Sequence, residues 1–178
     1  MAVFHKVISQ AEKSEREVTD LCSGLIQCNS AHPEARTDEC VDYIKRYMDK
    51  YGIPSEVHSR NPLKPNIVAK IKGSIDTNVL WVGHLDVVSE GKPESWTHPP
   101  YSGKITSDGN IYGRGASDMK GACAAAMVSA RILSQLEEPL DNCVEFWFTA
   151  DEEIGGADGA RWLSESKTFR GEVCLLKA

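Results

Sequence analysis

Three short segments gather imidazole and carboxylate side chains: Gly83-His84-Leu85-Asp86, the run from Tyr112 to Gly121 that holds Asp118, and Asp151-Glu152-Glu153. Alternate residues of a strand point the same way, so His84 and Asp86 share a face. A ligating imidazole commonly passes its other N–H to a carboxylate or carbonyl, a part that suits Asp86. Taken alone, the pair reads more readily as a solvated loop histidine beside a capping aspartate. Asp118 stands where a helix begins and could simply cap it. A cap, however, does not need Gly113, Gly115 and Gly121 around it, and such glycines imply unusual backbone angles or close approach of another backbone. Asp151, Glu152 and Glu153 repel one another, a cost that a bound cation removes; alone they also suit a solvated acidic loop. Together the segments supply what two divalent ions about 3.5–4 Å apart require, namely two terminal ligands and a bridge. His84, Asp118 and Glu153 fit those roles. Glu152, beside a ligand but pointing elsewhere, is the candidate general base.

These residues need strands and helices that bring them to one place. Val79 to Val82 is almost wholly apolar and predicts a central strand ending at His84. Val144 to Phe148 predicts a second, ending just before the acidic triplet. Between them, Ser89 to Gly103 reads as a long loop, Lys104 to Ile111 as a hairpin turning at Asp108-Gly109, and Ala122 to Leu136 as an alanine-rich helix. Upstream, Glu12 to Gln27 carries Val18, Leu21 and Leu25 at helical spacing, and a second helix presents Val41, Ile44, Tyr47 and Met48. Ser55 to His58 predicts a short strand, and Asn66 to Ile71 a half-buried one. Asp158 to Ser164 suggests a short helix, and Val173 to Leu176 a last strand. Helices alternating with buried strands predict an α/β sandwich: a central, mostly parallel mixed sheet flanked by helices. The chain stops within that last strand, so the domain is expected to be unfinished.

The 178 residues carry a formal net charge of −6, which offers no nucleic-acid surface. The N-terminus lacks the apolar stretch of a secretory signal, and no run is long enough to span a bilayer. Six cysteines are scattered without a C-x-x-C pair; Cys28, His32 and Cys40 match no zinc-finger spacing. Cys123 and Cys143 read as buried small hydrophobes, and a reducing cytoplasm is the expected setting.

GHLDVV, then Trp96 with Pro99-Pro100-Tyr101, then DGNIYGRGASDMKG, then TADEEIGG occur in an order and spacing that resemble the M20 metallopeptidases. That family includes acetylornithine deacetylase, succinyl-diaminopimelate desuccinylase, aminoacylases and glutamate carboxypeptidases. The match runs from Val79 to Leu163. The resemblance implies hydrolysis of a small peptide or an N-acyl amino acid with two divalent ions, zinc first, cobalt or manganese as alternatives. It implies that His84 binds one ion, Asp86 orients it, Asp118 bridges both, Glu153 binds the second and Glu152 is the acid/base. It also implies a cis Asp118–Met119 peptide. Trp96 and Tyr101 match a loop beside the site; Arg114 and Lys120 match the glycine loop without a transferable role. Two further ligands, a lid domain and a homodimer belong to the family pattern, so residues 1–178 are expected to form the first part of the catalytic domain. Two other readings stay open: an aminopeptidase of the related M28 family, and a binding homologue that has lost catalysis.

Overall fold

The computed structural model describes residues 2–166 and 171–176. Three helices open the chain: α1 (Ala2–Glu12), α2 (Glu15–Gln27) and α3 (Asp38–Lys50). α2 buries Leu21, Cys22, Leu25 and Ile26, and α3 buries Cys40, Val41, Ile44, Tyr47 and Met48, the stripes that their spacing predicts. The first helix expected, from Glu12, starts later. The chain breaks at Lys13 and Ser14, where the Ser14 hydroxyl donates to the Gln10 carbonyl at 2.7 Å. α1 is an element the sequence reading did not foresee. Its Phe4, Val7, Ile8 and Ala11 follow helical spacing, yet Phe4 and Ile8 stay exposed while Val7 packs against the large core.

Five strands form the main sheet in the order β1 (Ser55–His58), β2 (Asn66–Ile71), β6 (Leu140–Thr149), β3 (Gly73–His84), β7 (Gly171–Leu176). A separate hairpin joins β4 (Lys104–Ile105) to β5 (Ile111–Tyr112). The sheet is mixed and flanked by helices. β1 with β2 and β2 with β6 run antiparallel, and parallel pairing is confined to β6, β3 and β7.

Both faces of the central strands are covered. Ile67, Ala69, Ile71, Phe146 and Phe148 join α2, α3 and α4 (Gly121–Ser134) in the large core. Val68, Leu80, Val82 and Trp147 pack on the other face with Leu163 of α5 (Ala160–Ser166). β2 is therefore not half-buried as its alternation suggests: Val68, between the expected core residues, is covered as well. Each such side chain removed from water is worth about 1.5–3 kcal/mol. Among the described residues no helix is long and apolar enough to cross a membrane.

The register between β3 and β6 sets up everything that follows. Gly83 lies opposite Phe148 and His84 opposite Thr149. The Leu85 amide then donates to the Thr149 carbonyl at 2.7 Å. Two parallel strands thus end side by side, and the segments after them leave the same edge of the sheet, where open α/β sheets bind ligands.

Candidate metal centre

His84 is fixed from below. Its N–H donates to the Met119 sulfur at 3.2 Å, and its carbonyl accepts the Cys123 thiol at 3.3 Å. Its Nδ1 lies 2.9 Å from the Asp86 backbone carbonyl. A carbonyl only accepts, so Nδ1 carries the proton. The nearest Asp86 carboxylate oxygen is farther, at 3.6 Å. Nε2 then points at Asp118 Oδ1, 3.2 Å away, and at Glu152 Oε2, 3.6 Å away.

Asp118 reaches this position through a tight turn, Ala116–Lys120. Gly115 opens the turn at φ 86°, and a Cβ there would lie 2.7 Å from Val87 Cγ1, so only glycine fits. The Asp118–Met119 peptide is cis. Asp118 does not cap α4: the capping position is Lys120, and the Asp118 carboxylate is exposed toward His84. Lys120 is fully buried and donates from Nζ to the carbonyl of Cys28, the C-cap of α2, at 2.7 Å. The turn is thereby tied to the helix beneath it.

Glu152 and Glu153 open a single helical turn, Glu152–Ile154. The first N–H groups of a helix have no partner within it. Here they donate to one carboxylate: Glu152 N–H to Asp86 Oδ1 and Glu153 N–H to Asp86 Oδ2, each at 3.1 Å. Asp86 is fully buried and also accepts from His32 Nε2 at 2.9 Å. Asp151, in the left-handed region at φ 67°, is held by a buried ion pair to Lys64 at 2.6 Å and accepts the Asp158 N–H at 3.3 Å. His32, Lys64 and Lys120 thus support the site; His32 and Lys64 lie outside the motifs, and Lys120 stands within the glycine loop. Each meets a partner more than fifty residues away.

The carboxylates of Asp86, Asp118, Glu152 and Glu153 set the electrostatics around His84. Burial pushes the His84 pKa down, but the Asp86 carboxylate and carbonyl and the Glu152 charge outweigh it and lift it to about 9. Burial, together with Asp118 and Asp86, pushes Glu153 up against the opposing pull of His84. Burial would also raise Asp86, yet His84, His32 and the two glutamate amides hold it down at about 2. One ligand atom each of His84, Asp118 and Glu153 lies within 4.8 Å of the others. Among the described residues no other group of three such side chains is so arranged. An imidazole nitrogen with two carboxylate oxygens is a donor set that zinc accepts, so the residues fit a divalent ion. Cys28 and Cys40 stand apart from it: the Cys40 thiol donates to the Cys28 carbonyl at 3.8 Å, while His32 turns to Asp86.

In the loop before β4, the Trp96 indole donates to the Glu90 carbonyl at 2.9 Å, and the Tyr101 hydroxyl to the Glu90 carboxylate at 2.8 Å. The Arg114 guanidinium lies over the Trp96 ring, 5.3 Å from its centroid. A cleft of about 450 Å³ lies elsewhere, on the side of the sheet lined by Val68, Lys70 and Glu145. Its Lys70–Glu145 pair satisfies itself at 3.1 Å, so the converging donors at the strand ends remain the better candidate.

The description "Peptidase family M20/M25/M40" matches residues 80–175. The chain is 29% identical over 161 residues to N-formyl-4-amino-5-aminomethyl-2-methylpyrimidine deformylase of Halalkalibacterium halodurans, covering 88% of this chain and 38% of that protein. It is 32% identical over 163 residues to succinyl-diaminopimelate desuccinylase of Hydrogenovibrio crunogenus, covering 90% and 42%. Its fold matches the crystal structure of an M20 family metallo-carboxypeptidase from Sulfolobus solfataricus with a TM-score of 0.69 at 26% identity, covering 80% of this chain and 32% of that one. The chain therefore spans about two fifths of the length of these curated relatives.

Proposed function

The chain belongs to peptidase family M20/M25/M40, and on that premise we propose that it carries the first part of the catalytic domain of a two-metal amidohydrolase. The bond cleaved is a peptide or N-acyl amide bond of a small substrate. The observation that carries this reading is the convergence of His84, Asp118 and Glu153 within 4.8 Å, with Glu152 beside them.

His84 and Glu153 would each hold one ion, and Asp118 would be shared between them. When bound, the ions, zinc first among the candidates, supply Lewis acidity that lowers the pKa of water toward neutrality and polarises the scissile carbonyl. Glu152, half exposed and 3.6 Å from His84 Nε2, is free to take a proton from the attacking water at its carboxylate. The same carboxylic acid then returns the proton to the departing amine. Asp86 does not touch the substrate. Its carbonyl orients His84, and its carboxylate holds the amides of Glu152 and Glu153. The deformylase and desuccinylase relatives support an N-acyl compound as the substrate. The six free cysteines support a cytoplasmic setting.

The test is a chelation series on the whole protein. Activity on N-formyl, N-acetyl and N-succinyl amino compounds and on dipeptides should vanish after metal removal and return with zinc, cobalt or manganese. Hydrolysis that survives complete metal removal would refute the reading, as would a fully metallated protein inert toward every one of these amides.

A further inference from the structure

Asp86 carries more of the site than any other side chain, and one of its partners lies outside every motif. The segment before α3 runs beside the end of β3 as a short parallel ladder, bridging Ala31 and Val87. The His32 N–H donates to the Val87 carbonyl at 2.9 Å, and the Val87 N–H to the Ser30 carbonyl at 3.1 Å. The Ser30 hydroxyl closes the ladder on the Leu85 carbonyl at 2.6 Å. This backbone arrangement delivers the His32 ring to Asp86, where Nε2 lies 2.9 Å from Oδ2. A carboxylate only accepts, so the proton of this hydrogen bond belongs to Nε2.

We propose that His32 is a positioning residue: by locking the buried Asp86 carboxylate it fixes the helical turn that presents Glu152 and Glu153 to the metal centre. A fully buried carboxylate keeps its orientation only while donors surround it. Besides the His84 ring 3.6 Å away, Asp86 has two kinds: the backbone N–H groups of Glu152 and Glu153, which belong to the turn being positioned, and His32, whose backbone segment is anchored on Leu85 and Val87. Remove His32 and the carboxylate keeps hydrogen bonds only to the turn it positions, with the His84 ring at 3.6 Å. The loss is uneven, because His32 shares Oδ2 with the Glu153 amide, while Glu152 donates to Oδ1. Glu153 is therefore the residue whose amide loosens most.

The effect on the backbone follows from these contacts alone; the effect on metal affinity rests on the proposed role of Glu153 as a ligand. Amide exchange is read by NMR on the metal-free 178-residue chain, and zinc affinity by calorimetry on the whole protein carrying the same substitutions. In His32→Ala the Glu153 amide should exchange about ten-fold faster, the Glu152 amide less so, and the amides of β3 and β6 as before. His32→Gln, which offers an N–H at similar reach, should restore protection. His32→Phe fills the ring's space without a donor, so it keeps the comparison open should the alanine cavity unfold the chain. Zinc affinity should fall about 10–100-fold in the alanine and phenylalanine variants, the usual cost of losing an outer partner of a metal site. Unchanged Glu153 exchange in a folded His32→Ala or His32→Phe chain would overturn the proposal, as would a glutamine variant no better protected than these. A wild-type whole protein that takes up no zinc would count against the metal centre instead, leaving the exchange result to judge His32.

Discussion

Replacing Asp86 by asparagine changes one atom and leaves the shape intact, yet the hydrogen bonds around it forbid a neutral outcome. Oδ1 accepts from the Glu152 amide, and Oδ2 from the Glu153 amide and His32. An asparagine has one oxygen, so in either orientation its NH₂ faces a backbone N–H that is now left unpaired. An unsatisfied donor in such a place costs about 1–3 kcal/mol. The pKa supports the same size: holding a carboxyl at about 2 instead of 3.8 corresponds to about 2 kcal/mol of stability. For a chain of this length each kcal/mol moves the midpoint of thermal unfolding by about 2–4 °C. Asp86→Asn should thus melt about 2–12 °C below wild type near neutral pH, measured by circular dichroism on the metal-free chain. The sign with pH is fixed as well. A depressed carboxyl stabilises the fold above its unfolded pKa and loses that contribution as pH falls through the folded value. The gap between the two proteins should therefore close between about pH 4 and about pH 2. Equal melting near neutral pH, or a gap that persists in acid, would refute the claim that Asp86 is an ionised acceptor for both glutamate amides.

Zinc uptake near neutral pH should release roughly one proton from His84, because its pKa of about 9 keeps it protonated until a metal takes Nε2. Calorimetry in buffers of different ionisation heat would show this, with the release fading above pH 9; heats independent of buffer would count against His84 as a ligand. Gly159→Ala should lower the melting midpoint by about 2–12 °C, since overpacking of this kind costs about 1–3 kcal/mol. The added Cβ would lie 1.8 Å from the Ala150 carbonyl oxygen, and an unchanged midpoint would contradict the close approach of α5 to the end of β6.

The site was legible where chemistry sits at the end of an apolar run. Val79 to Val82 and Val144 to Phe148 announced β3 and β6, and because the two pair in parallel register, the motifs after them had to meet. The glycines around Asp118 likewise marked a turn too tight for side chains, and the hairpin at Asp108-Gly109 formed as its turn residues predict. What the sequence hid depends on distant partners. β3 begins at Gly73, well before its apolar stretch, because Gly73 and Ile75 find backbone partners at Leu140 and Asn142. The second buried face of β2 exists because Val68 packs with Trp147 and Leu163 far along the chain. His32 and Lys64 act on atoms brought near only by the finished fold, and a lone histidine or lysine in a loop carries no periodicity to betray it; Lys120, although inside the glycine motif, shows no sign there of its partner Cys28.

The division of labour between Glu152 and Glu153 is the central claim, and one paired measurement reaches it most directly. Metal content and turnover are determined together for Glu152→Gln and Glu153→Gln in the whole protein. Glu152→Gln should retain both metal ions while turnover falls about 10²–10⁴-fold, the range expected for losing a general acid/base. Glu153→Gln should lose metal, and activity with it. If Glu152→Gln empties the site while Glu153→Gln stays loaded, the roles assigned to the two glutamates are reversed.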